Sequence, residues 1–283
     1  MAAAAAPDLP ARLLLTRPRA QADEWATRMA ALGVPTASLP LIDIAPARDP
    51  ASLAAAWAAL PGTDLAMFVS PNAVEHFFGG RAAGGKPARV WPERTWAATV
   101  GPGSARALIE HGVPAARIVQ PPAASDSLDS EHLWPELVRV AGQDWTGRRA
   151  LLVRGDGGRE WLGDRLREAG AEVSAVGVYR RTCPAPSPEI AALLREALSE
   201  PQRHVWLFSS SEAIGHLDSL EQGTRGNGPP ADWGRVLALA THERIAARAR
   251  ALGAGHVVLV RPDAAAVAAG FRMLSGSTLE SPT

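Results

Sequence analysis

Single-copy residues mark this sequence: one cysteine, one tyrosine and one lysine among 283 residues. Cys183 alone excludes an intrachain disulfide and fits a reducing, cytoplasmic setting. Seven histidines are present, but none stands in an H-x-H or H-E-x-x-H spacing, and no C-x-x-C exists, so no metal is expected. No G-x-G-x-x-G, Gly-Lys-Ser/Thr or G-x-S-x-G occurs, which removes the fingerprints of dinucleotide sites, P-loops and serine-hydrolase elbows. The 29 Lys and Arg balance the 29 Asp and Glu, which argues against a broad nucleic-acid footprint. Apolar runs are too short to span a bilayer. The MAAAAAP start has neither a basic n-region nor a strong h-region, so it reads as a short disordered segment rather than a secretory signal. Apart from Lys86 the Lys/Arg class is all arginine; a GC-rich genome explains most of that, and arginine carries functional weight only at a motif.

What the sequence does hold is a copy of itself. Leu14-Leu15-Thr16-Arg17, a helical stretch and Gly33 recur as Leu151-Leu152-Val153-Arg154, a helical stretch and Gly170, shifted by 137 positions. Phe68 to Phe77 (FVSPNAVEHF) recurs as Phe208 to Leu217 (FSSSEAIGHL), shifted by 140. Two motifs in the same order at nearly the same offset imply two copies of one α/β unit. Periodicity agrees. Short apolar runs at 12–16, 65–69, 96–100, 118–120, 150–154, 205–208, 236–240 and 256–260 alternate with helical patterns, the arrangement of a doubly wound parallel sheet in each unit. Thr36 to Ile44 and Glu172 to Arg181 read as extended strands, Gly79 to Pro87 and Gly223 to Pro230 as exposed loops, and the tail from Ser275 as disordered. Nine tryptophans read as core and packing residues.

In parallel sheets of this kind ligands bind at the carboxyl ends of the strands. The repeated polar motifs fall there, at strand-to-helix turns where free N–H groups favour anions. The first pair is Thr16-Arg17 and Arg154-Gly155-Asp156-Gly157-Gly158, whose glycines let backbone approach a ligand. The second is Ser70-Pro71-Asn72 and Ser209-Ser210-Ser211; one hydroxyl caps a helix, and three in a row leave a surplus for a ligand carboxylate. The third is Gly101-Pro102-Gly103-Ser104 and Thr241-His242-Glu243-Arg244, the second copy having lost the glycines and gained charge. His242 reads first as a surface or capping group, with a proton shuttle as the alternative. Tyr179 ends an extended segment beside Arg180 and Arg181; it either packs its ring or offers a hydroxyl to a site.

Together these stretches resemble the uroporphyrinogen-III synthase family. The resemblance rests on LLLTRPRAQADEWATRMAALG with SLPLIDIAP, FVSPNAVEHF, ATVGPGSARAL, LLVRGDGGREWLGDRLREAGAEVSAVGVYRR and LFSSSEAIGHL, and covers almost the whole chain in order. The run from Arg154 to Arg181 is its most specific part. The departure at Thr241 to Arg244 leaves open which of those four would touch substrate. The resemblance implies two similar flavodoxin-like, doubly wound α/β domains joined by a two-stranded β linker, with a cleft between them. The expected division is 1–38 plus 184–283, against 46–171, with 39–45 and 172–183 as interdomain strands.

The implied reaction is cyclisation of hydroxymethylbilane to uroporphyrinogen III, with inversion of ring D and loss of water. Tyr179, in the V-Y-R-R end of the run from Arg154 to Arg181, is the expected catalytic residue, assisting departure of the hydroxyl by hydrogen bonding or as a general acid. The expected substrate-binding residues are Thr16, Arg17, Ser70, Asn72, Gly101, Ser104, Arg154, Gly157, Gly158, Ser209, Ser210, Ser211, Thr241 and Arg244. No cofactor is expected. The expected partner is the linear tetrapyrrole, handed over by the preceding pathway enzyme, with no nucleic acid and no membrane, to a cytoplasmic monomer. Two readings compete: a two-domain protein that binds an anionic metabolite without catalysis, and a glycosyltransferase-like enzyme, for which no nucleotide-diphosphate site is evident.

Overall fold

The computed structural model describes residues 11–79, 90–122, 125, 127–157, 161–185, 187–225 and 231–276. Strands and helices alternate from the start: β1 (Arg12–Leu15), α1 (Arg19–Ala31), β2 (Thr36–Ser38), β3 (Asp43–Pro46), α2 (Pro50–Ala59), β4 (Leu65–Phe68) and α3 (Pro71–Gly79). Then come β5 (Trp96–Thr99), α4 (Pro102–Glu110), β6 (Ile118–Val119), α5 (Ser130–Ala141), β7 (Arg149–Gly155), α6 (Trp161–Glu168) and β8 (Glu172–Thr182). The rest is α7 (Pro188–Ser199), β9 (His204–Phe208), α8 (Ser211–Arg225), β10 (Leu237–Ala240), α9 (Glu243–Leu252), β11 (His256–Leu259) and α10 (Ala264–Gly276). Helix starts carry their own caps: Asp49, Asp129 and Ser187 accept from the N–H groups of Ala51, His132 and Ile190, each worth about 1 kcal/mol. No described helix is long and apolar enough to cross a membrane.

The chain divides into two compact units. Unit 1 takes the residues up to Asp43 and those from Thr182 onward; unit 2 is Ile44–Arg181. Unit 1 holds a sheet of order β11-β10-β9-β1-β2 with every neighbouring pair parallel. Its central strands are buried along their length, Leu13, Leu14 and Leu15 at 0% exposure, as a sheet covered on both faces requires. Leu13 and Leu15 pack with Trp25 and Met29 of α1 and Phe271 of α10.

Unit 2 holds a sheet of order β3-β8-β7-β4-β5-β6, parallel from β8 through β6. The two-residue period of a strand splits its core. Leu65 and Met67 pack with Leu133, Leu137, Leu162 and Leu166 of α5 and α6. Ala66 and Phe68 pack on the other face with Trp57, Phe77 and Phe78 of α2 and α3.

The extended segment expected over Thr36 to Ile44 is two strands in two sheets. Pro40 has no N–H to give a ladder. Leu39 and Leu41 donate to Leu15 O and Thr16 O at 3.0 and 3.2 Å, and their side chains are buried. The chain then leaves for β3, beside β8. Residues 172–183, set apart in sequence as interdomain, hold β8, which pairs with β7 from Glu172 through Tyr179 and buries Val176 and Val178 in unit 2. Helix α8 continues through Gly223 to Arg225, and α10 runs to Gly276, past where a loop and a tail were expected. The MAAAAAP start, 80–89, 226–230 and 277–283 lie outside the described residues.

Candidate active site

At the carboxyl ends of β4, β5 and β7, unit 2 carries an open cavity of about 320 Å³. Met67, Val69, Val100 and Leu128 give it apolar walls; Arg154, Tyr179, Arg181 and Asp129 give it polar ones, with Gly155 and Gly157 as bare backbone. An apolar pocket with a few convergent polar groups is the usual form of a small-molecule site.

A bulge aims Tyr179. Arg154 pairs with Gly177, but the next residue, Gly155, pairs with Tyr179, so β8 carries one residue more than β7. Strict alternation would send Val178 and Tyr179 to opposite faces; instead both are buried in one core, at 2% and 1% exposure. Gly155 makes the room. A Cβ there would lie 2.6 Å from Tyr179 Cζ. The phenol oxygen is 3.2 Å from Ser70 Oγ and accepts from Arg181 Nη2 at 3.4 Å. The His76 ring lies 5.8 Å away, centroid to centroid, and burial pushes its pKa down, which keeps it neutral at pH 7.

Arginine only donates, so the phenol oxygen is an acceptor toward Arg181. Two hydrogen arrangements remain. Either Tyr179 donates to Ser70, or Ser70 donates to Tyr179 and leaves the phenol hydrogen free for an acceptor in the cavity. Ser70 Oγ also accepts from Ala73 N–H at 3.2 Å, capping α3.

The remaining expected residues fall into two sets. In unit 2, Asn72 is half-buried in the first turn of α3, and Gly101 caps α4 with no side chain, its carbonyl accepting from Ser104 N–H at 3.1 Å. Ser104 itself is buried at 3%. Gly157 has φ +76°, a left-handed conformation that glycine adopts without strain. Gly158 lies outside the described residues.

Unit 1 gathers the rest on the carboxyl edge of its own sheet. Thr16 turns inward, its hydroxyl donating to Leu207 O at 2.6 Å. Arg17 lies 4.7 Å over the Trp25 ring, with Nε buried and lacking a hydrogen-bond partner among the described residues. Burial, then Arg28, pushes its pKa below the usual arginine value, with Glu24 opposing. Ser210 caps α8 by accepting from Glu212 and Ala213 N–H groups. Ser211 Oγ is buried without a partner among the described residues, and Ser209 is half-buried beside it. Thr241 N–H donates to Phe208 O at 3.2 Å, and Arg244 is exposed. His242 caps α9, Nδ1 accepting from Arg244 N–H at 3.1 Å.

Arg154, Gly157 and Tyr179 thus meet at one cavity, with Ser70 bonded to the phenol. Asp129 and Arg181 share that cavity and were not singled out from sequence, although Asp129 three residues before His132 has the form of a helix cap. Thr99 Oγ1 in unit 2 and Ser38 Oγ in unit 1, at strand carboxyl ends, are buried without partners among the described residues and were also missed. Among the described residues no three His, Cys, Asp or Glu side chains stand together as metal ligands.

The family model for uroporphyrinogen-III synthase HemD matches residues 23–269, which include this cavity and the unit 1 edge from Ser38 onward. The chain belongs to the uroporphyrinogen-III synthase family. A uroporphyrinogen-III synthase of Escherichia coli K12 is 35% identical over 171 residues, which is 60% of this chain and 64% of that protein. One from Synechococcus elongatus is 28% identical over 223 residues, 78% of this chain and 77% of that protein. Among solved structures, a uroporphyrinogen-III synthetase from Helicobacter pylori aligns with TM-score 0.53 at 13% identity, covering 95% of this chain and all of the other (100%). A mutant uroporphyrinogen III synthase from the extremely thermophilic bacterium Thermus thermophilus aligns with TM-score 0.50 at 19% identity, covering 94% and 99%. At these identities the structural likeness speaks for the mixed α/β fold with parallel sheets.

Proposed function

We propose that this chain closes hydroxymethylbilane to uroporphyrinogen III, inverting ring D and releasing water. The observation that carries the reading is Tyr179: within a family match spanning 23–269, a buried phenol borders a cavity also lined by two arginines. The substrate is a linear tetrapyrrole with acetate and propionate arms, and guanidinium groups suit carboxylates.

The electrons come from the substrate. Pyrrole nitrogen pushes out the hydroxyl of the hydroxymethyl carbon, and the C–O bond breaks to leave an azafulvene cation. Tyr179 supplies the proton with which the hydroxyl leaves as water, in the arrangement where Ser70 donates to the phenol oxygen. Ring D attacks through its substituted carbon, and the resulting spirocycle fragments and recloses at the free carbon. The proton lost there, as ring D regains aromaticity, matches the one given by the phenol. Arg154, Ser70, Asn72, Gly101, Ser104 and Gly157 in unit 2 hold carboxylate arms or shape the pocket. Thr16, Arg17, Ser209, Ser210, Ser211, Thr241 and Arg244 are proposed as substrate-binding residues carried by unit 1, Thr16 through its backbone because its hydroxyl is engaged. Positioning and fixed dipoles do the catalytic work.

Each unit is proposed to be a flavodoxin-like, doubly wound domain. Numbered from its first βα unit, each sheet supports the order 2-1-3-4-5, β3 being an added edge strand in unit 2. We further propose a cytoplasmic monomer that needs no cofactor and receives its substrate from the preceding enzyme. The test is the rate of isomer III formation from freshly made hydroxymethylbilane. Tight binding of the tetrapyrrole with no isomer III would favour the alternative, a binding protein without catalysis.

A further inference from the structure

Two guanidinium groups line the cavity, Arg154 and Arg181. They suit the carboxylate arms of a tetrapyrrole, but they work against a positive charge forming in the same space. The chemistry proposed above forms such a charge, spread over a pyrrole ring whose N–H becomes its strongest donor. One lining side chain has the opposite sign. Asp129 stands on the wall at the start of α5, and its side chain retains 30% exposure, open to a ligand.

Asp129 does not swing freely. Its Oδ1 accepts the backbone N–H of His132 at 2.9 Å and stands 2.6 Å from His132 Nδ1. The His132 ring, then its backbone N–H, then the Ser127 hydroxyl hold the carboxyl well below the usual carboxylate range, so it stays ionised. Capping α5 uses one face of the carboxylate. A fixed anion aimed where positive charge develops is worth more than a mobile one, because no reorganisation is needed as the charge appears.

We infer that Asp129 is a catalytic carboxylate of this site, accepting the N–H of the ring that loses its hydroxyl and balancing the azafulvene cation as it forms. The inference rests on the synthase reading. No bond to Asp129 forms; the C–O bond breaks as described, with the proton drawn from Tyr179.

Asp129→Asn tests it well, because asparagine caps a helix about as well as aspartate and keeps the shape while removing the charge. Losing one such electrostatic group costs about 10²–10³-fold in other enzymes; at this partly solvated position the expected loss in kcat for isomer III is about tenfold to a hundredfold, with KM within threefold and the melting temperature little changed. Asp129→Glu, which restores the charge, should recover part of the rate. Were the asparagine variant to melt early, Asp129→Ser, another capping residue without charge, gives the same comparison. The inference is overturned by a kcat within twofold of wild type in the folded variant, by a rise in KM alone, or by equal losses in the Asn and Glu variants. If wild type itself makes no isomer III, the synthase reading falls, and the role of Asp129 with it.

Discussion

Gly155→Ala would push on Tyr179 without touching its hydroxyl. The added methyl lands 2.6 Å from Cζ, 2.7 Å from Cε2 and 3.1 Å from the phenol oxygen. Ordinary carbon contacts lie at about 3.5–4.0 Å, so the ring must move by about 1 Å. It has little space, being 1% exposed and bonded to Ser70 at 3.2 Å. Overpacking of this kind costs about 1–3 kcal/mol, or a fall in melting temperature of about 2–12 °C for a chain of this size. The same displacement breaks the Ser70 contact and takes the phenol away from the departing hydroxyl, where 1 Å is worth about 10²-fold.

Tyr179→Phe is the comparator. It keeps the ring and removes the hydroxyl, with a stability cost of about 0.5–1.5 kcal/mol. General acid assistance typically contributes about 10²–10⁴-fold; because this hydroxyl departs with push from the pyrrole nitrogen, the loss should sit at or below the low end, with residual activity. The assay is the initial rate of isomer III per folded molecule, with melting curves alongside. If the glycine variant acts through the phenol, the two changes together cost little more than the larger one alone. A folded Gly155→Ala protein within twofold of the wild-type rate would refute the reasoning, because the chemistry would then be indifferent to where the ring stands.

Two further outcomes are expected. His204 is 1% exposed, accepts from Arg12 Nε at 3.0 Å, and has its pKa pushed below 6.5 chiefly by burial, with Arg12 and Arg203 adding to it. The folded protein keeps it neutral while the unfolded chain takes up a proton, so thermal stability should fall as pH drops below about 6.5; His204→Gln should flatten that slope, and an unchanged slope would count against it. Exhaustive chelation should leave the rate of isomer III formation intact; loss of turnover restored by one added metal would contradict the proposed positioning mechanism.

The alternation of strand and helix was legible because the central strands are continuous apolar runs and the turns between them carry capping residues. The duplication was legible because β1 and β7, like β4 and β9, occupy matching places in their sheets and end in like turns. Other features depended on contacts that periodicity does not encode. Pro40 sits in an apolar stretch that reads as one strand, and only its missing donor and the burial of Leu39 and Leu41 send the chain to a second sheet. The Gly155–Tyr179 bulge turns on a single glycine whose role depends on its neighbour across the ladder. Thr16 and Ser104 have the polarity of ligand contacts but are buried at 1% and 3%, and the Thr16 hydroxyl staples β1 to β9. Asp129 caps α5, a role the sequence reading did not assign it; its place on the cavity wall follows from how α5 is set against β6 and α6, which spacing along the chain cannot reveal.

The central claim is tested most directly by presenting the purified chain with freshly made hydroxymethylbilane and resolving the porphyrin isomers after oxidation. The account predicts that isomer III dominates and that its initial rate rises in proportion to protein concentration. A folded protein that leaves only isomer I, formed at the rate seen without protein, would contradict it.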